Sequence, residues 1–223
     1  MSSPALYEGI RSAGAAALRS GDIALDPVLA EGGPDRRRGL SLVIHPRGLG
    51  EAYEPLATGF AALEPEQYYY PAGDLHVTVF DFCSAREGYA RDLESELAFL
   101  ALALEAAAGS GPFPIAFRGV ACSREAGLLA GYDGDRLVAL RAAIRSRMLD
   151  RGLPNDERYE SRSAHASFLR FRAPLRDGPR FLAELEARRE EELGEALVEE
   201  LELVEHDWFD SGGSRRLVGK VAL

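Results

Sequence analysis

The stretch Asp74-Leu75-His76-Val77-Thr78-Val79-Phe80 decides how this chain is read. Strict alternation puts Leu75, Val77 and Val79 on one face of a strand and His76 and Thr78 on the other. An apolar back with imidazole and hydroxyl in front lines a groove better than it fills a core. The device returns at Ser163-Ala164-His165-Ala166-Ser167-Phe168-Leu169, where His165 and Ser167 again stand two apart. Only four histidines occur in the chain, so two in one setting carry weight. The other two lack the partner hydroxyl: His45 is followed at that spacing by Arg47, and His206 by Trp208. His45 sits at a strand end before the turn Pro46-Arg47-Gly48 and reads as a loop residue.

Working outward, residues 39–45 form a strand, and Tyr53, Leu56, Phe60 and Leu63 recur at helical spacing over 51–63. The run Tyr68-Tyr69-Tyr70 cannot face one way, so at least one ring is expected at the surface, for base stacking or for packing between lobes. Phe80 and Phe82 alternate onto the His76 face. Ser84-Ala85-Arg86-Glu87 matches a capping box and predicts a helix from there to Ala108. Two strands of a hairpin follow over 112–123 and 127–132, then a helix over 135–151. The second histidine strand spans 163–171, and in it Arg170 alternates away from His165 and is left out of the site. A helix opens at Asp177-Gly178-Pro179 and carries an acidic half up to Gly194. Strands over 196–208 and 215–223 close the chain.

This order shows one unit roughly twice: strand, helix, histidine strand, helix, two strands. Two similar lobes, each giving one histidine strand to a shared groove, are the expectation. Residues 1–38 lie outside that unit, as an Ala-rich amphipathic helix and a loop holding Arg36-Arg37-Arg38. That basic run is either a solvated turn or an anion-steering rim.

A length of 223 residues suits one large domain or two intimate lobes. No apolar run approaches membrane-spanning length and the first residues lack signal-peptide order, so a cytoplasmic protein without membrane attachment is expected. The two cysteines, Cys83 and Cys122, form no Cys-x-x-Cys pair, and thiolate zinc is not expected. A formal charge of -10 counts against a long polyanion as partner. It allows a short nucleotide in one local groove.

Two imidazoles facing each other across a phosphate suit in-line displacement. One, neutral, takes a proton from water or a hydroxyl; the other, protonated, gives one to the departing oxygen on the far side. Thr78 and Ser167, each roughly 7 Å along the strand from its histidine, would donate to the non-bridging oxygens. The scheme requires no metal and no cofactor. Two alternatives stand beside it: a zinc site using Asp74 and His76, two apart on one face, and a nucleotide-binding module without turnover.

Leu75-His76-Val77-Thr78-Val79 and Ala164-His165-Ala166-Ser167-Phe168 resemble the paired His-x-Thr/Ser signatures of the two-histidine (2H) phosphoesterases. That superfamily includes the bacterial 2'-5' RNA ligase-like proteins and cyclic nucleotide phosphodiesterases. The resemblance spans residues 39–223. It implies an α+β fold of two pseudo-symmetric lobes, mainly antiparallel sheet with outer helices, around a central groove. It implies metal-independent action on 2',3'-cyclic phosphates or 2'-5' phosphodiester bonds of a small nucleotide or RNA end; a monomer is the separate expectation for the chain. On this chain it makes His76 and His165 the acid–base pair, in an order left open, and Thr78 and Ser167 the phosphate-binding hydroxyls. Tyr70, Phe80, Tyr159 and Arg162 are further candidates for substrate contact, from their positions beside the motifs.

Overall fold

The computed structural model describes residues 4–223. Among the described residues six α-helices surround two antiparallel sheets, and the histidine motifs stand at the start of one strand in each. The first sheet has the order β3 (Val77–Arg86), β1 (Arg38–Ile44), β8 (Glu200–His206), β9 (Arg216–Ala222). The second runs β2 (Tyr68–Tyr69), β6 (Ala166–Arg170), β5 (Ala126–Tyr132), β4 (Phe113–Cys122), β7 (Glu192–Val198). The fold is thus α+β with two lobes of antiparallel sheet and outer helices.

Helix α1 (Pro4–Ser20) buries Tyr7, Ala15 and Leu18, residues spaced along one helical face, against β4 and α6 (Gly178–Ala187). Helix α1 therefore packs on the second sheet. After the short α2 (Pro27–Glu31), helix α3 (Gly50–Leu63) packs on α6 through Phe60, whose ring meets Phe168 and Phe181. Helix α4 (Leu93–Ala107) covers β9, and α5 (Arg136–Asp150) lies against α4 and β3.

Several sequence expectations give way to local chemistry. Ser84 does not cap a helix: its hydroxyl donates to the Asp156 carbonyl at 2.6 Å and its amide to the Asp156 carboxylate at 3.2 Å. That bond holds residues 84–86 in β3, and α4 begins later, capped by Asp92, which accepts from Glu94 and Ser95 amides. The acidic stretch after α6 is not helical to Gly194, because the helix ends at Ala187 and β7 begins at Glu192. The single strand expected over 196–208 is two, β7 in the second sheet and β8 in the first, with Glu199 between them. Of the three adjacent tyrosines none is exposed: β2 pairs with β6, and Tyr68 packs on Tyr70 and Phe209 at about 5 Å. The Arg36–Arg38 run is neither a solvated turn nor an open rim at Arg37. Its guanidinium bonds Asp26 and Asp35 and lies over the Trp208 ring.

Candidate active site

Each histidine lies one residue before its strand proper, His76 ahead of β3 and His165 ahead of β6. Short local bonds orient the two rings. His76 Nδ1 lies 2.9 Å from the Asp74 carbonyl, which only accepts, so Nδ1 carries the proton and Nε2 is left to work. His165 Nδ1 lies 2.6 Å from the Ser163 hydroxyl, again leaving Nε2 without a local partner. His76, Thr78, His165 and Ser167 line one groove of about 850 Å³ measured to its open mouth.

Both strands then depart from alternation at the same place. In the β1–β3 ladder Leu42 pairs with Phe80 and Val43 with Thr78, so Val79 is an extra residue. In the β5–β6 ladder Gly127 pairs with Leu169 and Leu128 with Ser167, so Phe168 is extra. Each bulge falls one residue after the hydroxyl residue and reverses the parity beyond it. Hence Phe80 and Phe82 turn into the core, each 1 % exposed, and Phe80 meets the groove only from beneath. Asp81 takes the groove face in their stead. The same reversal carries Arg170 into the groove, where strict alternation had it pointing away. Gly127 makes the second bulge possible: a Cβ there would sit 2.7 Å from the Phe168 ring.

The remaining candidates fall in different places. Tyr159, 62 % exposed, stands at the groove wall. Tyr70 is buried behind it, its ring 6.1 Å from that of His76 and its hydroxyl accepting from Arg170 Nε at 3.3 Å. Arg162 is outside the groove lining and pairs with Glu160 at 3.2 Å.

The two histidines set apart at the sequence level belong to the same neighbourhood. His206 lines the groove, with Nε2 2.7 Å from Ser41 Oγ, which in turn donates to Asp81 at 2.6 Å. His45 bridges Glu202 and Asp210, at 3.1 Å each. Asp210 is buried at positive φ in the loop after β8, accepts from Arg215 Nε at 2.7 Å, and puts its other oxygen 3.7 Å from His76 Nδ1. The convergence of all four imidazoles was open to a reader who weighed their scarcity alone. Asp210 left no such signal, since it reaches the site from a loop distant in sequence.

The electrostatics of the two rings differ. Burial lowers the pKa of His76, while the Asp210 charge and the Asp74 carbonyl pull it back up. Burial also lowers that of His165, and there the charges of Arg170 and Arg141 push the same way, down to about 3. Burial opposes ionisation of Asp210, but the bond from His45, the charges of His76 and His206 and the bond from Arg215 outweigh it and hold its pKa at about 2. The charges beside the two rings are thus opposite in sign, an anion at His76 and cations at His165.

A family model described as the 2'-5' RNA ligase superfamily matches residues 51–208. The chain belongs to this superfamily. Solved structures share its fold. TT0787 of Thermus thermophilus aligns with a TM-score of 0.58 at 18% identity, over 84% of this chain and 97% of that one. A structure titled simply phosphoesterase aligns at 0.56 and 17%, over 84% and 98%. E. coli LigT complexed with 3'-AMP aligns at 0.56 and 18%, also over 84% and 98%. No curated protein sequence matches. The two histidine motifs of the chain meet in the groove. Among the described residues no helix is long and apolar enough to cross a membrane.

Proposed function

We propose that this chain is a metal-independent phosphodiesterase that opens 2',3'-cyclic phosphates or cleaves 2'-5' phosphodiester bonds of nucleotides or RNA ends. The observation that carries the reading is the convergence of His76, Thr78, His165 and Ser167 on one groove. The difference in charge around the rings supports roles for them. His165, kept neutral beside Arg170 and Arg141, is the base: its Nε2 takes a proton from water as the water oxygen bonds to phosphorus. His76, beside Asp210, is the acid: as the P–O bond to the leaving oxygen breaks, it hands that oxygen its proton. Thr78 and Ser167 donate to the non-bridging oxygens as negative charge builds there. The anionic diester itself favours the imidazolium of His76 on arrival.

A metal-dependent alternative finds little support in the side chains. Among the described residues no three His, Cys, Asp or Glu converge with metal-holding geometry. Asp74, the carboxylate that would join His76, instead accepts from the Gly212 amide at 2.9 Å and faces Arg215 at 3.6 Å. E. coli LigT has been crystallised with 3'-AMP, NADP+ and ATP. A nucleotide-sized substrate for this chain is in keeping with that.

The test is turnover of a panel of 2',3'-cyclic nucleotides and 2'-5'-linked dinucleotides in the presence of a chelator. Turnover is expected, with His76→Ala and His165→Ala each lowering kcat by about 10²–10⁴-fold. Undiminished rates in both variants would discard the reading, and binding without turnover would favour the non-catalytic module.

A further inference from the structure

Among the described residues Arg141 on α5 is the largest fully buried side chain, 0 % exposed. Its guanidinium makes no contact with the groove, yet it touches the backbone of both histidine segments. Nε donates to the Val79 carbonyl at 2.9 Å, and Nη2 donates to the carbonyls of Thr78 and Ser163, both at 2.8 Å. Nη1 has no hydrogen-bond partner among the described residues. Such an unsatisfied buried donor is costly, and a cationic one more so. Burial lowers the Arg141 pKa to about 10, with Arg145 pushing the same way and Asp133, Tyr7 and Glu157 opposing. The group remains a cation at neutral pH.

The three carbonyls are not a random set. Val79 is the extra residue of the first bulge, and Thr78 carries the proposed phosphate-binding hydroxyl. Ser163 holds the His165 ring through Nδ1. β3 and β6 belong to different sheets, so no strand ladder connects them. One guanidinium therefore joins the bulge of the first lobe to the residue that orients the imidazole of the second.

We propose that Arg141 is a positioning residue for the reaction: a buried clasp that sets the span between His76 and His165 and holds its charge against the segment that carries His165. The proposal rests on the two-histidine reading. A residue that served stability alone would leave the histidine titrations where they are. The groups facing His165 are Arg170 on its own strand, Arg141 from α5 and His76 across the groove. Of these, only Arg141 also bonds the backbone of both lobes.

Two substitutions separate charge from reach. Arg141→Gln removes the cation and keeps some donor capacity. Arg141→Lys keeps the cation and loses the planar fork that meets three carbonyls. Both are expected to lower kcat by about 10²-fold, as for an active-site geometry displaced by about 1 Å, with KM changed less than kcat. In Arg141→Gln the His165 titration, followed by NMR of the four imidazoles, moves to higher pH; in Arg141→Lys it stays. If Arg141→Gln does not fold, Arg141→Lys decides alone: kcat equal to that of the parent protein overturns the clasp. A folded Arg141→Gln with an unmoved His165 titration overturns the charge role. The titration needs no substrate. A protein whose His165 moves as expected but which cleaves none of the panel upholds the electrostatic link and defeats the phosphodiesterase reading instead.

Discussion

The first lobe presents His76, Thr78 and Asp81 to the groove; the second presents His165, Ser167 and Arg170, at the same offsets. Both use a bulge directly after the hydroxyl residue, so the backbones are alike. The side chains are not. Past the bulge one lobe carries a carboxylate and the other a guanidinium. Behind the rings the contrast continues, with Asp210 beside His76 and Arg141 close to His165. Two copies of one backbone device thus sit among charges of opposite sign. A symmetric frame brings two like rings to one groove, and the asymmetric charge suits the different tasks proposed for them.

The sharpest way to break this comparison is to vary the leaving group. If His76 is the acid, His76→Ala should lose about 10²–10⁴-fold on a nucleoside leaving oxygen and much less on a diester with an activated phenolate, which departs without a proton. His165→Ala should lose comparably on both. Equal losses for both variants on both substrates would erase the assigned asymmetry. A second test acts on the charge. The profile of kcat/KM reports the free protein. With both imidazoles below their ordinary 6.5, its two limbs should fall on the acid side of that value. Asp210→Asn removes the anion that favours the His76 imidazolium, so the limb on the alkaline side should move to lower pH. Each unit of that move costs about tenfold at neutral pH. A limb that stays put would detach Asp210 from His76.

Much of this was legible in the sequence, and the boundary is physical. The alternation of Leu75, His76, Val77 and Thr78 is a local property, and so are the helical spacing of Tyr53, Leu56 and Phe60 and the turn signals around them. Elements and lobes followed from those. Parity beyond the hydroxyls did not, because a bulge depends on the partner strand: Gly127 makes room for Phe168, and nothing in the 163–171 stretch announces it. Arg170 enters the groove against strict alternation for that reason. The capping-box pattern at Ser84 misleads because Asp156, which takes both its amide and its hydroxyl, lies far along the chain. Asp210 and Arg141 reach the histidines only through the tertiary fold.

Stability gives a third, smaller test of the same contrast. His165 has a folded-state pKa of about 3 against an ordinary 6.5, so between those values the unfolded chain binds more protons. Stability is then complete above about pH 6.5 and falls as pH drops towards 3. Asp210, lowered to about 2 from 3.8, contributes stability present above 3.8 that is lost as pH falls through 2. Denaturant unfolding at a series of pH values should therefore give a flatter slope for His165→Gln between 6.5 and 3, with the steeper loss below 3.8 retained. An unchanged slope would mean that the second-lobe ring is not held neutral.

The smallest effect expected lies farthest from the chemistry, at the helix that precedes both lobes. Tyr7 of α1 donates its hydroxyl to the Gly131 carbonyl at 2.9 Å and accepts from the Gly131 amide at 3.0 Å. Gly131 lies so close to the second histidine segment that a Cβ would sit 2.0 Å from the Ala164 carbonyl. The tyrosine thus supports only the lobe that carries the proposed base. Tyr7→Phe keeps the ring and strands both backbone groups, a loss of about 1–3 kcal/mol. At about 2–4 °C per kcal/mol for a chain of this size, thermal melting resolves it. If α1 acts on the second lobe through Gly131, amide exchange should quicken along β5 and β6 while β1 and β3 keep their protection. Equal quickening in both sheets would make the helix a general brace and remove it from the contrast between the lobes.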